Sequence, residues 1–192
     1  MNAPANIARA IKPMLIGLLL VMSTLALAAS PDHNRAKVRK QSQEVLARLY
    51  AAKPDSREVI ASSRGYATFS RWGLTIGPVG GGIGRGLLVA QPSGDETFMR
   101  FVEGSAGLGF GIKKYDVIFV FESEKAFTDF ATKGWQAGGQ ATAAAKHRAG
   151  GKAVDGAVSV SPGVWVYQNT ERGLAAELGI KGTKYFQDKS LN

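Results

Sequence analysis

The residue types that carry most enzyme chemistry are scarce in this sequence. Cysteine is absent, which excludes thiol nucleophiles, thiolate metal sites and disulfides. The two histidines, His33 and His147, have no carboxylate at a defined spacing that would orient either one as a general base. Two histidines also cannot form a His-rich metal site. Both are interpreted as solvated residues, and neither a catalytic site nor a metal site is predicted.

Three short patterns approach known catalytic or nucleotide-binding motifs, and each lacks a required feature. Residues 61–65, Ala-Ser-Ser-Arg-Gly, are one residue away from a nucleophile elbow, but they precede a predicted strand instead of following one. After Gly82 and Gly84 a dinucleotide-binding loop requires a third glycine where Leu87 stands. Asp95-Glu96 belongs to a Pro- and Gly-containing turn and is predicted to be a solvated hairpin tip. Neither an enzyme nor a cofactor is therefore expected.

The chemistry that remains is the binding of anions by lysine and arginine. These residues number 24 against 15 acidic ones, and the resulting formal charge of +9 favours acidic partners such as phospholipid headgroups, nucleic acid or anionic polymers. The charge is concentrated near the N-terminus in Arg35, Lys37, Arg39 and Lys40. Further candidate cations are Lys113 and Lys114 at the start of a strand, the run Lys146–Lys152, and Lys181 with Lys184.

The N-terminal cations are predicted to lie on a helix over His33–Tyr50. Val38, Ser42, Val45 and Leu49 form a stripe with helical spacing, and basic residues lie on both flanks. Such flanks are typical of a helix in a membrane interface, where each basic residue contributes about 1 kcal/mol near an anionic surface. The alternative is a surface helix whose stripe packs on its own domain, and the narrowness of the stripe favours this alternative.

Most of the chain after Gly65 is predicted to form antiparallel sheet. Residues 82–87 and 107–112 alternate glycine with larger residues, so one face of each strand is bare and can approach another backbone or ring. Glycine also tolerates the bends of a tightly curved sheet. We therefore expect a single α+β domain in which a curled, largely antiparallel sheet or small barrel packs with a few helices.

Shorter elements are predicted from local signals. The apolar run Val117–Phe121 indicates a strand buried on both faces, and Ser123–Gly134 indicates a short helix with a cap at each end. Trp135–Ala149 fits either a small-residue helix or an irregular crossing. Alternation after Val158 predicts closing antiparallel hairpins, with a last strand near Thr183–Phe186.

The first 28 residues are predicted to be a signal peptide. Arg9 and Lys12 precede an apolar run that ends in Ala26-Leu27-Ala28, a pattern typical of cleavage after Ala28. The run has about 15 residues, fewer than the roughly 20 that cross a bilayer as a helix. Residues 29–192 would then form the mature domain, in a bacterial periplasm or outside the cell, where intracellular nucleic acid is not an expected partner.

The order of these features resembles the SYLF domain family, a lipid-binding module of actin-associated eukaryotic proteins and of exported bacterial proteins. The resemblance implies a curled sheet packed with helices, and binding of phosphoinositides or other acidic phospholipids assisted by a basic N-terminal helix. Ser70 stands where many members have proline, and a chain without cysteine cannot be one of the family's lipoproteins. The shared segments are Arg64–Phe69, the glycine-rich stretch to Gly86, Gly104–Lys113, Val117–Phe121, Gly134-Trp135 with Gly138–Ala141, and Gly173–Ala175 with Gly182–Phe186.

The leading hypothesis is an exported, non-enzymatic protein that lies peripherally on an anionic phospholipid membrane. Its expected contacts are Arg35, Lys37, Arg39 and Lys40, supported by Lys113, Lys114, Lys181 and Lys184. Because phosphoinositides are scarce in bacteria, phosphatidylglycerol, cardiolipin or lipid A phosphates are the expected ligands. Two alternatives are an envelope interaction protein that binds a protein or glycan, and a carrier of a small hydrophobic ligand inside the curled sheet.

Overall fold

The computed structural model describes residues 30–136, 156–170, 173–174 and 182–192. Within these ranges one sheet contains seven strands, and every pair of neighbours is antiparallel. Strand order is β3-β7-β2-β5-β4, with β1 on β2 and β6 on β5. The elements are α1 (Pro31–Ala52), α2 (Ser56–Ala61), β1 (Gly65–Ala90), β2 (Glu96–Phe121), α3 (Glu124–Lys133), β3 (Trp135–Gln136), β4 (Val158–Ser161), β5 (Val164–Thr170), β6 (Gly173–Leu174) and β7 (Thr183–Gln187). The predicted α+β fold is confirmed.

Helices α1 and α3 begin and end at the residues whose side chains or backbones cap them. The Ser30 hydroxyl accepts a hydrogen bond from the His33 backbone N–H at 3.2 Å, and α1 ends at Lys53, directly before Pro54. The Ser123 hydroxyl accepts from Ala126 N–H at 3.3 Å, and Gly134 ends α3 with a φ of 73°. Both predicted helices are confirmed, although α1 extends two residues beyond each predicted end.

The hairpin formed by β1 and β2 folds back on itself. Each strand has 26 residues, and a straight strand of that length would extend about 85 Å at roughly 3.3 Å per residue. At the hairpin tip, however, Gln91 N–H donates a hydrogen bond to the carbonyl of Arg64 at the base, at 3.0 Å. The two ends of the hairpin therefore meet, and the register shifts between Gly77 and Val79 in the intervening part.

An aromatic core fills the space inside this folded hairpin. The ring of Phe69 lies 6.0 Å from both Phe101 and Phe119, which belong to opposite halves of β2. Glycine allows the rings to pack directly against the strand. A Cβ on Gly86 would overlap the Phe69 ring, and a Cβ on Gly84 would lie 2.5 Å from Phe101 Cε1. The bare glycine face predicted for residues 82–87 is therefore a face on which the curled sheet closes.

Helix α1 packs on the outer face of the same sheet. Val117, Phe119 and Phe121 face the aromatic core with Phe130 of α3, whereas Ile118 and Val120 contact α1 and β5 from the other side. The strand Val117–Phe121 is thus buried on both faces, as predicted. Val45 and Leu49 are fully buried against this outer face and Val38 is buried near the hairpin tip. The stripe of α1 therefore packs on its own domain, as in the alternative favoured above.

Other predictions have mixed outcomes. Trp135 and Gln136 form the short strand β3, which pairs with β7, instead of a helix or an irregular crossing. The predicted last strand is confirmed as β7. The signal peptide, the rest of Trp135–Ala149, and residues 175–180 lie outside the described ranges. Within those ranges, no helix combines the length and the apolar character needed to cross a membrane.

Candidate functional site

A cleft of about 380 Å³ lies between α1 and the folded hairpin. Helix α1 forms one wall, and the second half of β1 with the start of β2 forms the other. Three of the eight lining residues are cationic and none is acidic, so we call this site the basic cleft. The lining residues are Asn34, Lys37, Val38 and Gln41 of α1, Ile83, Gly84 and Arg85 of β1, and Arg100 of β2.

One buried carboxylate lies beside two of the three cations of the basic cleft. Arg85 and Arg100 are partners in the antiparallel register, so their side chains leave the same face of the sheet. The side chain of Asp188 is 1% exposed, and its Oδ2 lies 2.8 Å from Arg85 Nε and 4.0 Å from Arg100 Nε. Ser190 holds the other oxygen, Oδ1, by its backbone N–H at 3.1 Å and its hydroxyl at 2.5 Å.

The ionisation of Asp188 reflects two opposing effects. Burial raises the pKa of this carboxyl group, but hydrogen bonds from Ser190 and Arg85 and the charge of Arg85 outweigh it. The pKa of Asp188 is therefore lowered from its usual value of 3.8, and the carboxylate is charged at neutral pH. One buried negative charge thus accompanies two arginines, and the arginine pair retains a net positive charge.

Polar contacts fix α1 against the sheet and thereby set the shape of the cleft. Gln41 Nε2 donates a hydrogen bond to the carbonyl of Arg85 at 3.3 Å, directly across the cleft. At the other end of the helix, Arg48 donates from Nε and Nη2 to the two oxygens of Asp116, at 2.6 and 3.1 Å. Because α1 is tied at both positions, Lys37 is held on the wall opposite the arginine pair.

Two large aliphatic side chains are exposed next to the cleft. Ile83 is 70% exposed and Val102 is 45% exposed, and the two are register partners across β1 and β2. Side chains two residues apart on a strand share a face, so this pair lies on the same face as Arg85 and Arg100. Val102 is in turn the register partner of Lys184 in β7. We call Ile83 and Val102 the aliphatic pair; cationic residues flank it.

The predicted binding residues of α1 divide into two groups. Lys37 lines the basic cleft, and Lys40 is exposed. Arg35 instead donates to the carbonyl of Leu191 at 2.8 Å and pairs with Asp32. Arg39 pairs with Glu96 at 2.7 Å and lies over the Phe98 ring at 5.2 Å. These two arginines therefore take part in holding α1 in place.

The four remaining predicted residues are on or near β2 and β7. Lys184 is exposed beside Val102, so the structure brings it to the aliphatic pair. Lys113 and Lys114 lie in β2, with their backbones opposite Gly73 and Trp72. Lys181 lies outside the described residues.

Sequence reasoning did not identify Arg85, Arg100 or Asp188 as site residues. Arg85 did carry a usable signal, because it is the charged residue on the non-glycine face of the alternating stretch 82–87. On that face Leu87 is buried under α1, whereas Ile83 is exposed beyond it. Arg85 therefore lies where the part of this face that α1 covers gives way to the part that is exposed to solvent.

No metal centre is evident in the part of the chain that the structure describes. Within it, no group of three or more histidine, aspartate or glutamate side chains is arranged to hold an ion. The chemistry available at the basic cleft is recognition of an anion by arginine and lysine, next to an exposed aliphatic surface.

Comparison with known proteins finds similarity to one family and to one curated protein. Residues 102–192 match the Ysc84 family, whose description is "Las17-binding protein actin regulator". The chain is also similar to Beta cell expansion factor A of Aeromonas veronii, with 27% identity over 157 residues, or 82% of this chain and 58% of that protein. The chain thus corresponds to little more than half of this relative's length. These matches confirm the resemblance to the SYLF family that was stated from the sequence.

Proposed function

We propose that this protein is an exported, non-enzymatic lipid-binding protein that associates peripherally with acidic phospholipid surfaces. The observation that carries the proposal is the basic cleft with the aliphatic pair beside it. A membrane interface offers anionic phosphates directly above apolar chains, and cationic side chains around exposed aliphatic ones match that order of layers. The resemblance to the SYLF family, which implies lipid binding, supports the same function.

The expected strength of this association follows from the residues at the surface. Lys37, Arg85 and Arg100 keep about two positive charges after the offset by Asp188, and these contribute about 2 kcal/mol near an anionic leaflet. Ile83 and Val102 together contribute about 2–3 kcal/mol when their exposed surface leaves water. A total of about 4–5 kcal/mol corresponds to a dissociation constant of about 0.1–1 mM, which is weak and reversible binding.

Co-sedimentation with vesicles tests the proposal. The protein recovered after export is mixed with neutral phosphatidylcholine vesicles, or with vesicles that also contain phosphatidylglycerol, at low and at high salt. We expect binding to the acidic vesicles alone and a loss of binding in salt, because exposed charges are screened over about 8 Å at physiological ionic strength. Binding that is absent, or equal on neutral vesicles, would contradict the proposal. The mass of the recovered protein tests the predicted cleavage after Ala28.

A matched pair of variants locates the binding face. Lys37→Gln with Lys40→Gln removes two charges from α1, and Lys125→Gln with Lys133→Gln removes two exposed charges from α3, which packs on the opposite face of the sheet. The first pair should weaken binding about tenfold or more, whereas the second should have a much smaller effect. Equal effects would show that binding depends on the net charge of the protein and not on the face that carries Lys37 and Lys40.

A second candidate function is the binding of a protein partner. It rests on the description of the Ysc84 family as actin regulators that bind another protein. This candidate would be favoured if the protein bound no vesicles but was retained on a matrix carrying an envelope protein after all lipid had been removed by detergent.

A further inference from the structure

We propose that the basic cleft binds the phosphomonoester headgroup of one anionic lipid, while the aliphatic pair enters the lipid layer beside it. This inference rests on the proposed membrane association and deepens it by naming the class of lipid. Phosphatidic acid and the terminal phosphates of lipid A have this chemistry; phosphatidylglycerol and cardiolipin, which are phosphodiesters, do not.

The charges at the cleft match a doubly charged phosphate. Lys37, Arg85 and Arg100 line it, and the carboxylate of Asp188 offsets one of these charges from a buried position below the two arginines. About two positive charges therefore remain for a ligand. A phosphomonoester carries about −1.5 to −2 at neutral pH, whereas a phosphodiester carries only one negative charge. The larger charge is the better complement to the cleft.

The donors at the cleft are also grouped as a phosphate requires. Arg85 Nε donates a hydrogen bond to Oδ2 of Asp188 at 2.8 Å, and Arg100 Nε lies 4.0 Å from the same oxygen, so both guanidinium groups lie beside one carboxylate. In the described part of the chain, neither guanidinium group makes a further hydrogen bond or ion pair. Their terminal N–H groups can therefore bind phosphate oxygens in the bidentate manner that arginine favours. Lys37, without an ion-pair partner within the same ranges, adds a third cation from the facing wall.

The position of the aliphatic pair indicates that the phosphate belongs to a lipid. Ile83 both lines the cleft and contacts solvent with 70% of its surface, and Val102 extends this apolar surface on the next strand. A headgroup held by Arg85 and Arg100 would thus have its glycerol and acyl chains next to aliphatic side chains. A free phosphate ion would leave both side chains in water, so the lipid is the occupant that uses the whole surface.

Vesicles of equal surface charge test the headgroup preference. Neutral vesicles are prepared with either phosphatidic acid or phosphatidylglycerol, and the two mole fractions are adjusted to the same zeta potential. We expect at least fivefold tighter binding to the phosphatidic acid vesicles. Equal binding would overturn the inference and leave the proposed membrane association intact, whereas absence of binding to both would overturn both.

Three variants show whether the cleft carries this preference. Arg85→Gln with Arg100→Gln should abolish it, while Lys125→Gln with Lys133→Gln, which removes the same charge from the opposite face, should retain it. Asp188→Asn raises the net charge but releases the two arginines, so it should strengthen binding to phosphatidylglycerol and reduce the preference. A preference that survives in the double arginine variant would overturn the inference.

A measurement on the unaltered protein does not depend on the folding of any variant. Nitrogen-15 NMR follows the Nε–H signals of Arg85 and Arg100 during titration with a short-chain, soluble phosphatidic acid and, separately, with glycerol 3-phosphate. We expect both signals to shift with each compound, and saturation at a lower concentration of the lipid because only the lipid contacts Ile83 and Val102. Equal affinity for the two compounds would indicate a site for free phosphate, and unmoved signals would overturn the site.

Discussion

Arg85 of β1 lies directly opposite Arg100 of β2 in the antiparallel register of the hairpin. Like charges at opposite positions destabilise a sheet, so this arrangement lowers stability unless a counter-charge is present. Asp188 supplies one such charge from the residue that follows β7, and it is buried while the arginines remain partly exposed. The arginines are thus held close together on an accessible face, as the binding of an anion requires.

Asp188→Asn should destabilise the protein in a pH-dependent way. At neutral pH we expect a loss of about 1–3 kcal/mol in the free energy of unfolding, because charge-assisted hydrogen bonds from Arg85 and Ser190 are weakened. The pKa of Asp188 is lowered in the folded protein, so its contribution is complete above the unfolded value of 3.8 and is lost as the pH falls through the lower, folded value.

Urea unfolding at a series of pH values measures this effect. The difference in stability between the unaltered protein and Asp188→Asn should be constant from about pH 7 to about pH 5 and should decrease below about pH 4. A difference that is already lost at pH 6, or one that persists undiminished to pH 2, would contradict the role assigned to the Asp188 carboxylate.

Gly86→Ala should prevent the folded hairpin from closing. The new Cβ would overlap the ring of Phe69 and the carbonyl oxygen of Thr68, and the backbone oxygen cannot move aside as a flexible side chain can. We expect a loss of at least about 2 kcal/mol in the free energy of unfolding. Gly104→Ala is the matched control, because its Cβ would have no atom within 4 Å.

Thermal and urea unfolding compare these two alanine variants. Gly104→Ala should be nearly neutral, or more stable by up to about 1 kcal/mol through a smaller unfolded-state entropy. If both variants lost similar stability, a general intolerance of alanine in long strands would explain the result better than the contact between Gly86 and Phe69.

Asp116→Asn should weaken the attachment of α1 to the sheet. Hydrogen bonding to Asp116, opposed by burial, raises the pKa of Arg48, and the Asp116 side chain is only 6% exposed. Since Arg48 is 42% exposed, we expect a loss of about 1–3 kcal/mol, less than the 3–5 kcal/mol typical of a fully buried pair. Urea unfolding measures this loss of stability. A coupling energy near zero in a double-mutant cycle of Asp116→Asn with Arg48→Met would contradict the stabilising role of the ion pair between Arg48 and Asp116.

Ile83→Ala with Val102→Ala should weaken membrane binding without changing any charge. We expect vesicle affinity to fall about fivefold to thirtyfold, because about 1–2 kcal/mol of aliphatic burial is lost. The fall should persist at high salt, where the contribution of the cations is screened. Ile83 is 70% exposed and Val102 is 45% exposed, so the unfolding midpoint should change much less than it would for buried side chains. Co-sedimentation that is insensitive to this substitution would show that Ile83 and Val102 remain in water.

The elements with strong local signals were predictable from the sequence. The helical stripe of α1, the caps of α3, the doubly buried strand Val117–Phe121 and the closing strand β7 depend on neighbouring residues, whose types determine backbone conformation directly. The alternating glycines also predicted a bare face and a curled sheet. Lys37 and Lys184, two of the predicted binding residues, are exposed in the structure.

The composition of the cleft could not be predicted in the same way. Lys37, Arg85, Arg100 and Asp188 meet through the register of β1 with β2, the docking of α1 and the path of the chain after β7. Each of these depends on contacts between distant parts of the chain, for which no local spacing exists. Local residue types therefore determined the helices, strands and positive charge, whereas only the closure of the hairpin around its aromatic core decided which cations share one site.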